Sequence, residues 1–127
     1  MILDEYASFL SERGIPFYTK NGFSVKMDST MITVGISRDN TITLSGYIGL
    51  VNAGIRKAKR LTSALLTRFP SYKIWPEMYS GYYEIEVERS FQFTTINDLH
   101  GKVEQMATMI ERGFEIGKEM LGEEFVR

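Results

Sequence analysis

Glu84, Glu86 and Glu88 stand at alternate positions of one extended stretch, which places three carboxylates on one strand face about 7 Å apart. Carboxylates so spaced could hold a hard cation or divide acid and base roles between a protonated and an ionised member. Metal sites usually draw ligands from several elements, and an acid–base pair needs two differing environments. The alternation itself reads first as the water-facing side of a half-buried strand. His100, the sole histidine, falls on the flank of a helical apolar stripe. Without a second histidine, a nucleophile motif or a cysteine, it reads as structural. No triad, metal cluster or nucleotide fingerprint occurs in the chain, so the expectation is a protein that is not an enzyme and takes neither metal nor cofactor.

Three further groups invite binding rather than catalysis. Arg56, Lys57, Lys59 and Arg60 form a basic arc, extended by Arg68 and Lys73, that could contact phosphates. No glycine-rich phosphate loop, recognition-helix signature or interleaved aromatic platform accompanies it, so a solvated face or a dimer surface is expected ahead of nucleic acid. Trp75 shares strand parity with Lys73 and Glu77 instead of the apolar Ile74. Alternation therefore exposes it unless Pro76 introduces a bulge, and with Tyr79 and Tyr82 it forms a candidate partner-binding group. Gly113 and Gly117 stack at i, i+4 in the middle of an apolar helical stripe, where each costs about 1 kcal/mol of helix propensity relative to Ala. Something must offset that cost, and close packing against the helix is the expectation.

The elements that carry these residues follow from periodicity. Across residues 83–93, Tyr83, Ile85, Val87, Phe91 and Phe93 alternate with polar positions, which predicts a strand. Thr95, followed three residues later by Asp98, predicts a helix start. Ile96, Leu99, Val103, Met106 and Ile110 then continue at three/four spacing, for about seven turns in all. Earlier, Leu3, Tyr6, Phe9 and Leu10 predict a short amphipathic helix stopped by Gly14 and Pro16. Asn21-Gly22 predicts a two-residue hairpin between residues 17–20 and 23–27. Residues 31–37 and 41–47 alternate around an Arg38-Asp39-Asn40 turn, leaving Thr33, Thr41, Thr43 and Ser45 on a face that can meet water. Residues 50–69 turn helical, with Val51, Ile55, Ala58, Leu61 and Leu65 on one side. Residues 72–78 return to strand, with Pro76 requiring an edge or bulge. The order is α-ββββ-α-ββ-α, an α+β fold with an antiparallel sheet flanked by helices.

The whole chain sets the bounds. At 127 residues it fits a single domain spanning 1–127, with 43% hydrophobic and 24% charged residues and a net charge of -1 that exerts no global pull on nucleic acid or membrane. The absence of cysteine rules out disulfides and thiolate chemistry. No apolar run approaches the roughly 20 residues a membrane helix needs, and no basic leader precedes one, so a cytoplasmic location is the default expectation.

This succession of a helix, antiparallel strands, a middle amphipathic helix, a strand pair and a long final helix resembles that of type III secretion chaperones and the related YbjN-like family. The resemblance spans most of the chain and lies in element order, with no diagnostic motif, so no residue is carried over. It implies a small sheet flanked by helices, commonly a homodimer, with a protein-binding or regulatory role and no cofactor. The early Asn21-Gly22 hairpin departs from it. A helix-grip domain, binding a small apolar ligand between a curved sheet and the final helix, is the alternative, in which Gly113 and Gly117 would make room for ligand. The leading expectation is a non-enzymatic protein-interaction or chaperone-like module, homodimeric, with the basic arc meeting acidic residues of a second copy. Glu104, Glu111, Glu115 and Glu119 of the final helix and the three strand glutamates supply the acid.

Overall fold

The hydroxyl of Thr95 accepts the backbone N–H of Asp98 at 3.0 Å, so a side chain satisfies one of the donors left open at the start of the longest helix. The Asp98 carboxylate accepts from the Thr94 hydroxyl at 3.0 Å and from Lys102, one turn on, at 2.7 Å. These contacts belong to a computed structural model that describes Met1–Arg127. The elements are α1 (Ile2–Glu12), β1 (Phe17–Tyr18), β2 (Phe23–Met27), β3 (Thr30–Ile36), β4 (Thr41–Val51), α2 (Ile55–Arg68), β5 (Lys73–Tyr79), β6 (Tyr82–Gln92), α3 (Ile96–Leu121) and, after a 3-10 turn at Gly122–Glu124, β7 (Phe125–Val126). The seven strands form an antiparallel sheet in the order β1-β2-β3-β4-β6-β5, with β7 paired to β4. The fold is α+β in the predicted order, with β7 added. Two residues carry no period, so alternation could not reveal that last strand.

Two boundaries differ from expectation. Asn21 and Gly22 both adopt positive φ, 62° and 100°, as their types predict. Yet β1 ends at Tyr18 and β2 begins at Phe23, which leaves residues 19–22 as the connection, longer than a two-residue hairpin. The helix expected from residue 50 starts at Ile55, because Leu50 and Val51 continue β4 and pair with Val126 and Phe125. Gly54 caps it in an extended conformation, φ -72° and ψ 166°.

The chain divides into two compact units, Met1–Ser45 with Ser90–Thr108, and Gly46–Arg89 with Met109–Arg127. In the first, the pairings Val25↔Ile32 and Val34↔Leu44 set buried side chains on one apolar face. Burying each such side chain contributes about 1.5–3 kcal/mol. The alternate face is hydroxyl-lined: Ser24 bonds Thr33 at 3.3 Å, and Thr43 bonds Ser90 at 2.9 Å. In the second unit, Ile74↔Val87 turns inward together with Ile85 and the α2 residues Ala58, Leu61 and Leu65. Pro76 lies on the edge strand, as its missing N–H requires. The register from Lys73↔Glu88 to Tyr79↔Tyr82 is unbroken, so no bulge reverses the parity of Trp75.

Candidate interaction surface

That unbroken register determines what shares the outer face of the β5–β6 hairpin. Trp75 lies opposite Glu86, Glu77 opposite Glu84, and Tyr79 opposite Tyr82. The rings of Tyr79 and Tyr82 stack with centroids 5.6 Å apart. Tyr79 is 43% exposed and its neighbour Met78 72%, while Trp75 is half-buried with the Lys73 ammonium 5.5 Å from its ring centroid. The three sequence-predicted aromatics are therefore brought to one face, beside carboxylates.

Those carboxylates crowd one another. Partial burial, a hydrogen bond with Glu84 and the charges of Glu84 and Glu77 push the Glu86 carboxyl up to about 8, so at neutral pH it holds a proton against its neighbours. The same crowd raises the Tyr79 phenol, Glu84 most of all. Glu86 and Glu84 thus provide one proton donor and acceptor pair, but no group of three or more histidine, aspartate or glutamate side chains is arranged to hold a metal ion. The chemistry open to this face is attraction of a cation, reinforced by aromatic rings.

Arg56, Lys57, Lys59 and Arg60 are exposed on α2, as their spacing predicts. Lys57 is already engaged, with its ammonium 2.5 Å from a Glu124 carboxylate oxygen. The space over the two helix glycines is taken by side chains rather than by another backbone. A Cβ on Gly113 would stand 3.2 Å from Ile48 Cγ2 and 3.5 Å from Leu65 Cδ2, and one on Gly117 would collide with the Phe125 ring. These side chains occupy the room that a helix-grip pocket would leave for ligand.

Periodicity pointed to neither the seat of Phe125 nor the pairing of His100. His100 is 9% exposed, and its Nδ1 lies 2.8 Å from the hydroxyl of fully buried Tyr6. Burial lowers the imidazole pKa, with Glu104 opposing and Arg13 adding to the effect. Burial, with the Glu104 charge, raises that of the phenol. The neutral ring therefore accepts and the phenol donates, a bond that fastens α1 to α3. The apolar stripe of α1 marked Tyr6 as inward and that of α3 put His100 on its flank, and only the fold could pair positions so distant in sequence.

Three helices and an antiparallel sheet in this order define an α+β fold with solved counterparts. A crystal structure of YbjN from E. coli, presented as a candidate transcription regulator, is similar over 100% of this chain and 98% of that one, with a TM-score of 0.70 and 19% identity. An uncharacterised protein from Methanothermobacter thermautotrophicus is similar over 96% of this chain and 100% of that one, with a TM-score of 0.68 and 10% identity. The chain thus has a YbjN-like fold, while the type III chaperone side of the resemblance rests on element order alone. No family model matches the chain, and no curated protein does. No helix is long and apolar enough to cross a membrane.

Proposed function

We propose that the protein is a non-enzymatic, homodimeric protein-interaction module of a regulatory kind, in which the outer face of the β5–β6 hairpin receives the basic arc of α2 from a second copy. The observation that carries this reading is the crowding of Glu77, Glu84 and Glu86 beside the stack of exposed Tyr79 on half-buried Tyr82, on a chain whose α2 presents Arg56, Lys59 and Arg60 to solvent. Crowded carboxylates gain most from a cation, and Trp75 and the tyrosines supply the desolvated apolar contact on which interface affinity rests. A two-fold contact repeats each pairing, so one chain carries both halves of a self-complementary surface. Leu66 of α2, 39% exposed, adds apolar area on the basic side. Individual rim ion pairs contribute about 0–1 kcal/mol, so charge sets register while aromatic burial supplies affinity. The likeness to a candidate transcription regulator supports a regulatory setting, and a cytoplasmic location accords with it.

Light scattering up to high micromolar concentration tests stoichiometry, with a dimer expected. Arg56→Glu together with Arg60→Glu weakens that dimer about tenfold or more by placing like charges together, and Trp75→Ala weakens it by removing the anchor. A strictly monomeric mass defeats the proposal. Binding of DNA or RNA that falls steeply with salt would instead assign the arc to phosphates.

A further inference from the structure

β5 closes one end of the sheet and is paired only to β6. The turn between them fixes which of its backbone groups that pairing uses. Tyr79 and Tyr82 flank the two residues Ser80 and Gly81, and across such a turn the first carbonyl accepts the N–H of the fourth residue. Along an antiparallel ladder, a hydrogen-bonded pair alternates with an unbonded one. Lys73, Trp75, Glu77 and Tyr79 therefore turn their N–H and C=O groups to β6, whereas Ile74, Pro76 and Met78 turn theirs outward. No backbone group of the chain bonds to that outer edge.

A free edge is a template for another strand, and this one is close to self-complementary. Consider two β5 strands laid antiparallel with Trp75 opposite Trp75. Lys73 of each copy then stands opposite Glu77 of the other, on the same face as the two indoles. Opposite-charge and aromatic pairs both stabilise a ladder, and Met78, 72% exposed, adds apolar surface beside them. The same register sets Ile74 opposite Pro76. The Ile74 N–H can donate to the Pro76 carbonyl, but Pro76 has no N–H to return, so the Ile74 carbonyl is left without a donor. Two-fold symmetry repeats the loss, and both gaps flank the centre of the contact.

We infer that Pro76 guards the β5 edge: it withholds the donor that a second copy's strand would need, and so stops the sheet from continuing into another molecule. Proline is tolerated at this position because its nitrogen faces away from β6, and the β5–β6 ladder loses nothing by it. The other end of the sheet is closed by brevity. β1 has only two residues, and the carbonyl of Pro16 just before it is already taken by the Lys26 N–H at 3.0 Å. The guard goes beyond the contact proposed between the outer face and α2, which is made by side chains and needs no pairing of backbone edges.

Pro76→Thr restores the missing N–H without adding apolar surface. With the fold retained by circular dichroism, its light-scattering mass should be about twice that of the wild type at the same high micromolar concentration, because edges join in pairs. Adding Lys73→Glu sets like charges opposite one another and should return the mass to the wild-type value. A folded Pro76→Thr chain of wild-type mass overturns the inference, and so does association indifferent to Lys73→Glu, since the strands would then be joining elsewhere. Where Pro76→Thr does not fold, amide hydrogen exchange in the wild type decides. The Ile74 and Met78 N–H groups should exchange about tenfold or more faster than those of Trp75 and Glu77, at low and high protein concentration alike. Equal protection of the two sets would show a paired edge and overturn the guard. The wild-type mass reports on the homodimer by itself, so the two readings fail separately.

Discussion

The two compact units fasten their peripheral segments by opposite means. In the first, α1 is anchored by a directional bond between two buried polar groups, Tyr6 and His100, within a cluster in which Phe23 lies 5.8 Å from the Tyr6 ring and Phe9 5.1 Å from the imidazole. In the second, β7 is anchored by shape: two glycines withdraw so that the Phe125 ring can enter, and Phe114 packs beside it at 5.4 Å. A directional bond adds a constraint to an already filled core. A glycine socket removes side chains from one element to seat a side chain of another. The first attachment should respond to protonation, and the second to volume.

The volume dependence gives the largest expected effect. Phe125→Ala empties the socket and costs about 3–5 kcal/mol, measured as the loss of unfolding free energy in urea. Gly117→Ala tests the same contact from the other side. In an ordinary helix it would gain about 1 kcal/mol, but here the new methyl meets a rigid ring and the outcome is a loss of about 1–3 kcal/mol. Gly113→Ala should cost less, because its nearest neighbour is the flexible Ile48 side chain at 3.2 Å. Equal effects at the two glycines would erase the distinction between a socket and general tight packing.

Protonation is the corresponding test of the first unit, with an intermediate effect. Tyr6→Phe leaves the buried His100 Nδ1 without its donor and costs about 1–3 kcal/mol. The folded-state pKa of His100 lies below its ordinary value of 6.5. Its contribution to stability is therefore complete above the unfolded value, and is lost as pH falls through 6.5 toward the lower folded value. Urea midpoints between pH 7.5 and 5 should decline in the wild type. The decline should be shallower in Tyr6→Phe, whose imidazole no longer has a hydrogen bond favouring its neutral form. An equal slope in both would detach the pH response from this pair.

These two attachments also mark how far the sequence could be read. Thr95 and Asp98 announced the start of α3, the parity of Trp75 set it with Lys73 and Glu77 and apart from Ile74, and the propensity cost of Gly113 and Gly117 signalled that something must approach the helix. The approaching group was not legible, because Phe125 and Val126 form a strand too short to show alternation. Leu50 and Val51 fit a helical stripe as well as a strand, so the extension of β4 that receives β7 was read as the beginning of α2. Local pattern carries the type of an element. The pairing of Tyr6 with His100, or of Gly49 with Gly117 about one ring, is tertiary information with no local trace.

The smallest effect expected concerns Glu86, where both units' lessons meet on one side chain, since its environment is set by charge as well as by packing. Its folded-state value of about 8 lies above the ordinary 4.5, so ionising it opposes folding. Stability tied to its protonated form is complete below about 4.5 and is lost as pH rises through 8. Glu86→Gln mimics the protonated form and should stabilise the chain at pH 9 relative to the wild type by under about 1 kcal/mol, because solvent screens a partly exposed carboxylate. At pH 5 the two proteins should unfold alike. The same titration reports on the interface: a cationic arc docked over Glu77, Glu84 and Glu86 stabilises the ionised form, so the Glu86 value followed by carboxyl NMR should fall from about 8 as the protein concentration rises into the dimeric range. Arg56→Glu with Arg60→Glu should abolish that fall. A value that stays constant across the monomer–dimer transition would place the contact between copies somewhere other than this face.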